Sequence, residues 1–319
     1  MKKVVVIGGG TGQSTMLRGL KRLDDLEITT IVTVADDGGS TGRLRDSYLI
    51  PAVGDIRNVL VALAPEESTF SSLMAYRFEG RDENELSGHS LGNLILLALT
   101  ELSGSFMEAI SNVSDVLNVK GTILPATLQV VTLYAIMEDG TIVRGESNIP
   151  KAKNHIHRVF YNDEVHASVQ AVQAIADADF IVYGIGSLYT SIMPNLIIPE
   201  LQEAIKSSSA CKIYYSNVMS EIGETDDYSV EMHVNAIENH LGDRIDLVVV
   251  AEDEIPPEVV DAYHRQGQEM VYLNSGNHHY QVMMANLLTF ENQIIRHDPM
   301  KIAASLQTII ERGKHVIHE

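Results

Sequence analysis

The sequence predicts an α/β protein of the Rossmann-like, doubly wound class: a mostly parallel sheet with helices on both faces and added β-hairpins. Three observations predict it. Apolar runs rich in β-branched residues alternate with amphipathic helical segments. The first run ends directly in Gly8-Gly9-Gly10-Thr11-Gly12, followed by a helical pattern. The segments after later runs are again rich in Gly, Ser, Thr, Asp and Asn. Strand-helix alternation of this kind forms a parallel sheet with right-handed crossovers.

Taken in order, Val4–Ile7, Ile28–Ala35, Phe180–Tyr183, Lys212–Tyr215 and Leu247–Ala251 read as strands. Ser14 to Leu23, Ser168 to Asp177 and Val230 to His240 read as helices. Two elaborations read as hairpins. In the first, Thr127–Met137 and Thr141–Gly145 flank the turn Glu138-Asp139-Gly140. In the second, within Tyr272 to His297, Gln281–Thr289 and Gln293–Arg296 flank Glu291-Asn292. No Pro/Gly/Ser-rich linker interrupts the chain, so residues 1–319 read as a single α/β domain whose N-terminal half carries the nucleotide site.

Composition narrows the function classes. With 319 residues and 45% hydrophobic side chains the chain can bury a large core. No apolar run approaches the roughly 20 residues that span a bilayer, and no signal peptide is legible. The single cysteine, Cys211, excludes an internal disulfide, and the expected setting is the reducing cytoplasm. A formal net charge of −20 argues against nucleic-acid binding, which needs clustered Lys and Arg.

In an open parallel sheet, ligands bind outside the carboxyl ends of the strands. The GGGTG loop, Gly9, Gly10, Thr11 and Gly12, has the glycines and the helix start that suit a phosphate. It lacks the third glycine of a dinucleotide fingerprint, because Thr15 stands there. Asp36 lies where such folds put an acidic residue on a ribose hydroxyl, and Asp37 beside it suggests Mg²⁺. Arg43 and Arg45 follow within reach of a diphosphate. Asp55 precedes an apolar helix as a cap or a second metal ligand. After the third strand come Ser187, Tyr189 and Thr190, and after the fourth Asn217 and Gly223-Glu224-Thr225. Tyr263 against a base or sugar and Arg296 on phosphate complete the candidates.

Two patterns lead elsewhere and are set aside. Gly88-His89-Ser90-Leu91-Gly92 matches the G-x-S-x-G of serine hydrolases, but the polar segment Glu79 to Glu85 stands where the elbow needs a buried strand. Ser90 or Asn93 then caps the next helix or touches ligand. The 12 histidines, His155, His157, His278 and His279 among them, show no zinc spacing.

GGGTG, ADDGGSTGRLR, GDIRN, GHSLGN, LPAT, GIGSLYTSIMPN and GETDDY, in this order, resemble the YvcK-type gluconeogenesis factors of the CofD-like superfamily (UPF0052) over nearly the whole chain. The resemblance implies a cytoplasmic bacterial protein needed for cell shape and for growth on gluconeogenic carbon sources, binding a UDP-sugar such as UDP-N-acetylglucosamine. The superfamily's enzyme branch, 2-phospho-L-lactate transferase, uses Mg²⁺. This chain shares its glycine loop and Ala35-Asp36-Asp37 but departs at Gly38 to Arg43. Gln13 and Ile185 stand where the YvcK-type pattern has an aliphatic residue and a proline. Carried over by position, the site residues are Gly9 to Gly12, Asp36, Asp37, Asn93, Ser187, Tyr189, Thr190 and Asn217.

The leading expectation is a non-catalytic UDP-sugar-binding regulator acting through a cell-wall synthesis or regulatory protein partner, with homo-oligomerisation left open. The alternatives are a transferase with Mg²⁺ on Asp37 and Asp55, and an NAD(P)-binding enzyme.

Overall fold

A computed structural model describes residues 1–65, 68–79 and 86–313. Residues 80–85, most of the polar segment before Gly88, lie outside the described residues. The strands are β1 (Lys2–Gly8), β2 (Leu26–Val32), β3 (Thr122–Pro125), β4 (Leu133–Met137), β5 (Ile142–Arg144), β6 (Ile156–Tyr161), β7 (Phe180–Tyr183), β8 (Cys211–Tyr215), β9 (Leu247–Ala251), β10 (Gln281–Ala285), β11 (Leu288–Glu291) and β12 (Ile294–His297). The helices are α1 (Gly10–Leu20), α2 (Gly39–Tyr48), α3 (Gly54–Leu63), α4 (Thr69–Ala75), α5 (Leu91–Ser103), α6 (Phe106–Leu117), α7 (Val169–Ala176), α8 (Met193–Leu196), α9 (Pro199–Ser207), α10 (Val230–Leu241), α11 (Pro257–His264) and α12 (Pro299–Arg312).

Seven strands form one wholly parallel sheet in the order β10-β9-β8-β7-β1-β2-β3. The chain builds outward from β1 through β2 to β3, then returns to the other side of β1 and continues through β7 to β10. The order therefore reverses between β1 and β7, and a crevice is expected at that switch point. Val4, Val5, Val6 and Ile7 are at most 2% exposed, because a parallel strand is covered on both faces. Burying each such side chain is worth about 1.5–3 kcal/mol. On one side α1 packs against α3 and α12. Gln13 is fully buried there, its Nε2 donating to Thr30 Oγ1 (2.8 Å) and the Ile31 carbonyl (3.1 Å), while its Oε1 is buried without a partner, so the polar departure from the aliphatic pattern is satisfied on its donor side alone.

Two edge strands differ from the sequence reading. Gln281–Ala285 pairs in parallel with β9 as the edge of the main sheet, and only β11 and β12 form the hairpin. Thr122–Pro125 forms the opposite edge, paired with β2. The first hairpin is present as β4 and β5, extended by β6 into a three-stranded antiparallel sheet. The first helix begins at Gly10, earlier than Ser14, and β2 stops at Val32, leaving Thr33 to Ala35 as connecting loop. Among the described residues, no helix is long and apolar enough to cross a membrane.

Candidate functional site

The glycine run sits at the carboxyl end of β1 as a crowded junction. Gly9 caps α1 in extended conformation, and a β-carbon there would lie 2.6 Å from Thr33 Cγ2 and 2.7 Å from Asp55 Oδ2. Gly12 faces the loop after β7, where a β-carbon would overlap the Ile185 carbonyl. These glycines are thus required by the chain's own backbone and by Asp55. Thr11 is exposed beside them.

Carboxylates gather beside this junction. Asp36 Oδ1 accepts from the Gly38 amide (2.8 Å), and its Oδ2 lies 3.1 Å from where a β-carbon of Gly54 would stand. Asp55, in the first turn of α3, has its pKa raised to about 6, first by burial and then by Asp36. Glu146, on the 3₁₀ segment after β5, is raised to about 8 by burial and by Asp36, Asp37 and Asp55. Asp37 is turned toward that segment: its Oδ1 accepts from the Ser147 amide at 2.9 Å, and its Oδ2 abuts Gly145. Asp36, rather than Asp37, is therefore the nearer carboxylate to Asp55.

The two arginines next in sequence both donate to backbone carbonyls. Arg45 is buried at 6% exposure and donates to the carbonyls of Ala35 (3.1 Å), Asp36 (2.9 Å) and Val131 (2.7 Å). Its guanidinium ties the β2–α2 loop to the segment entering β4. Arg43 is exposed and donates to the Ser87 carbonyl.

On the other side of the switch point, the loop after β7 carries Ser187, which hydrogen-bonds Glu221. Thr190 Oγ1 donates to Glu224 Oε1 (2.9 Å) and the Tyr189 amide to Glu224 Oε2 (3.3 Å). Burial raises the pKa of both glutamates, and the charge of Glu221 raises Glu224 further. A group whose pKa rises on folding contributes stability below its unfolded value near 4.5 and loses that contribution as pH rises through its folded value. Glu224→Gln is accordingly expected to flatten the pH dependence. From about pH 5 to about pH 9 the wild type should lose roughly 1–2 °C more in melting temperature than the variant for each kcal/mol of ionisation cost. Parallel pH profiles in scanning calorimetry would remove this role from Glu224.

Asn217 follows β8, its Nδ2 donating to the Gly186 carbonyl (3.1 Å). It lines a 240 Å³ cavity together with Gly12, Gly186, Glu221, Tyr263, Gln268 and His297. Tyr263 hydroxyl accepts from the Ile295 amide (3.0 Å). Arg296, between the cavity-lining Ile295 and His297, is exposed. Tyr189 lies elsewhere: its hydroxyl bonds that of Tyr228 (2.9 Å), and its ring lines a second cavity of 230 Å³ with His157 and Asn235. A larger open groove of 480 Å³ lies beside the N-terminal halves of β1 and β2, lined by Glu27, Thr29, Leu124 and Val169, and carries none of the candidate site residues.

Ser90 is a helix cap. Its Oγ accepts from the Asn93 amide (3.4 Å) and from Arg57 Nη1 (2.9 Å), and among the described residues no buried strand directly precedes it. The serine-hydrolase pattern is therefore a capping motif. Asn93, 2% exposed, donates to Ser40 Oγ (3.1 Å), which also bonds His89 Nδ1 (2.9 Å). Burial, with Arg43 and Arg77 nearby, lowers the pKa of His89 and favours neutral imidazole. This network joins the starts of α2 and α5. Among the described residues, no three His, Cys, Asp or Glu side chains are grouped as a metal-ligand set.

The fold thus brings Gly12, Ser187, Asn217 and Tyr263 to one side of the switch point and Gly9, Asp36 and Asp55 to the other. Glu146, Glu221 and His297 were not selected from sequence. Glu146 and His297 carry no local motif, whereas Glu221 stands two residues before GETDDY.

A parallel doubly wound sheet with a glycine junction and acidic loops at its switch point defines a Rossmann-like α/β protein, and relatives specify which. The family model described as 2-phospho-L-lactate transferase CofD matches residues 4–288. The gluconeogenesis factor of Bacillus subtilis (strain 168) is 43% identical over 314 residues, covering 97% of this chain and 98% of that protein. That of Halalkalibacterium halodurans is 45% identical over 312 residues, covering 96% and 95%. A crystal structure of a UPF0052 family member from Bacillus halodurans superposes with a TM-score of 0.91 at 44% identity, covering 96% of this chain and 99% of that one. The chain belongs to the CofD family and, within it, to the gluconeogenesis factors of UPF0052.

Proposed function

We propose that this protein is a nucleotide-sugar-binding regulator that takes UDP-N-acetylglucosamine or a close analogue at the switch-point crevice. It would act in the cytoplasm through a protein partner of cell-wall synthesis or its regulation, supporting cell shape and growth on gluconeogenic carbon sources. The observation that carries this reading is a polar crevice without a free nucleophile-base pair among the described residues. Ser40 and His89 form a hydroxyl-imidazole pair, but they are 5% and 6% exposed and Asn93 holds the same hydroxyl.

The carboxylates decide how a diphosphate could be accepted. Asp55 abuts Gly9 where a phosphate would approach α1, so a bare diphosphate would meet like charge. Mg²⁺ commonly uses one or two carboxylates together with substrate phosphates, and Asp36 with Asp55 offers that pair. Bound there, the ion would neutralise the diphosphate. The same carboxylates favour the second reading, a Mg²⁺-dependent transferase of the kind the family model's description names.

Calorimetric titration with UDP-N-acetylglucosamine tests both, with GDP and NAD as comparison ligands. Saturable, UDP-sugar-selective binding that requires Mg²⁺ and forms no product is expected. Asp55→Asn should weaken it about tenfold, or 1.4 kcal/mol, and reduce its Mg²⁺ dependence. Turnover would replace the regulator by the transferase, and an Asp55→Asn protein that kept wild-type Mg²⁺ dependence would remove the metal from this position.

A further inference from the structure

We propose that the 3₁₀ segment Glu146–Ala152 is a strap across the mouth of the crevice, latched by Asp37, and that it lifts to admit the ligand. The proposal rests on the nucleotide-sugar reading and gives Asp37 a positioning role in it, in place of a metal-ligand role. Its geometric basis is contact with loops on both sides of the switch point. At one end the Ser147 amide donates to Asp37 Oδ1 (2.9 Å), and Gly145 abuts the second oxygen of the same carboxylate. At the other end Pro150 packs on Gly223, where a β-carbon would overlap the Pro150 carbonyl. Asp37 follows β2 and Gly223 follows β8, and the sheet order is β8-β7-β1-β2. A segment joining those two loops passes over the carboxyl ends of β1 and β7, where open parallel sheets bind their ligands.

Glu146 sits between the two anchors. Its carboxylate is within electrostatic reach of Asp36, Asp37 and Asp55 on one side and of Glu224 on the other. The strap thus occupies the approach to the Asp36–Asp55 pair, and a diphosphate reaches that pair only by displacing it.

The segment is built to move as a unit. It is bounded by Gly145 (φ +94°) and Lys153 (φ +51°), and such element-terminal residues are where hinges absorb backbone change. Among the described residues, the Ser147–Asp37 bond is the one hydrogen bond from residues 146–152 to the parallel sheet and its loops. Burial of Ile149, which is fully covered, makes the lowered position the resting one.

A reversible lock tests the gate. Gly38 has extended backbone, and a β-carbon there would lie 3.7 Å from Ser147 Cβ, a separation that a disulfide spans. The native Cys211 is buried at the start of β8, away from this end of the sheet, so oxidation of the Gly38→Cys/Ser147→Cys protein joins the introduced pair. Association of UDP-N-acetylglucosamine with Mg²⁺ is followed by surface plasmon resonance on this variant, oxidised and reduced, and on wild type. The oxidised form is expected to associate at least about tenfold more slowly than the same protein reduced. Equal rates in the two forms would overturn the gate and leave the nucleotide-sugar reading standing. A pair that stayed reduced under oxidant would also overturn it, because the strap would then lie away from Gly38. Wild type that bound none of UDP-N-acetylglucosamine, UDP and GDP would overturn both. The latch is tested without ligand: Asp37→Ala is expected to speed hydrogen exchange of the 145–152 peptide about tenfold, and exchange unchanged from wild type would remove Asp37 from this role.

Discussion

Gly12→Ala is expected to destabilise the protein by about 3 kcal/mol, the upper part of the usual overpacking range. For a chain of this size that corresponds to roughly 4–5 °C in melting temperature. The added β-carbon would meet the Ile185 carbonyl, a backbone atom that cannot rotate away. Relief requires α1 and the loop after β7 to separate, and those two elements border the 240 Å³ cavity. Nucleotide-sugar binding should fall with stability. Gly8→Ala is the control: its β-carbon would meet only the Gln13 side chain, at 3.6 Å or more, so a change within about 1 kcal/mol is expected. Thermal melts of the two variants decide the matter, and equal melting temperatures would contradict the junction described here.

Arg45→Met is expected to cost about 3 kcal/mol or more, because it leaves three carbonyls without their donor. The side chain is 6% exposed, so water does not readily replace the guanidinium. Arg45→Lys should recover little of the loss: one ammonium cannot reproduce the planar fork that reaches the β2–α2 loop and Val131 together. The midpoint of urea unfolding measures the effect. A midpoint unchanged in Arg45→Met would show that the guanidinium does not tie these segments. The orientation of Asp36 depends on the same loop, so weakened ligand binding is expected to accompany the lost stability.

The central strands were legible because a parallel strand buried on both faces is written as a continuous apolar run, as in Val4–Ile7 and Phe180–Tyr183. The edges were not. Gln281–Ala285 has only its last residue buried, so it resembles a hairpin arm, and Thr122–Pro125 is too short for a pattern to show. The loops at the carboxyl ends were legible from glycine and acid content, but the direction of each side chain was not. Asp37 takes the amide of Ser147, 110 residues away, and Arg45 takes the carbonyl of Val131, and neither partner leaves a mark in the local sequence.

The most direct measurement is a crystal structure of the protein grown with UDP-N-acetylglucosamine and Mg²⁺. The account predicts ligand density across the carboxyl ends of β1, β7 and β8, with the diphosphate toward Asp36 and Asp55. Density in the groove beside the N-terminal halves of β1 and β2, or an empty crevice at saturating ligand, would contradict it.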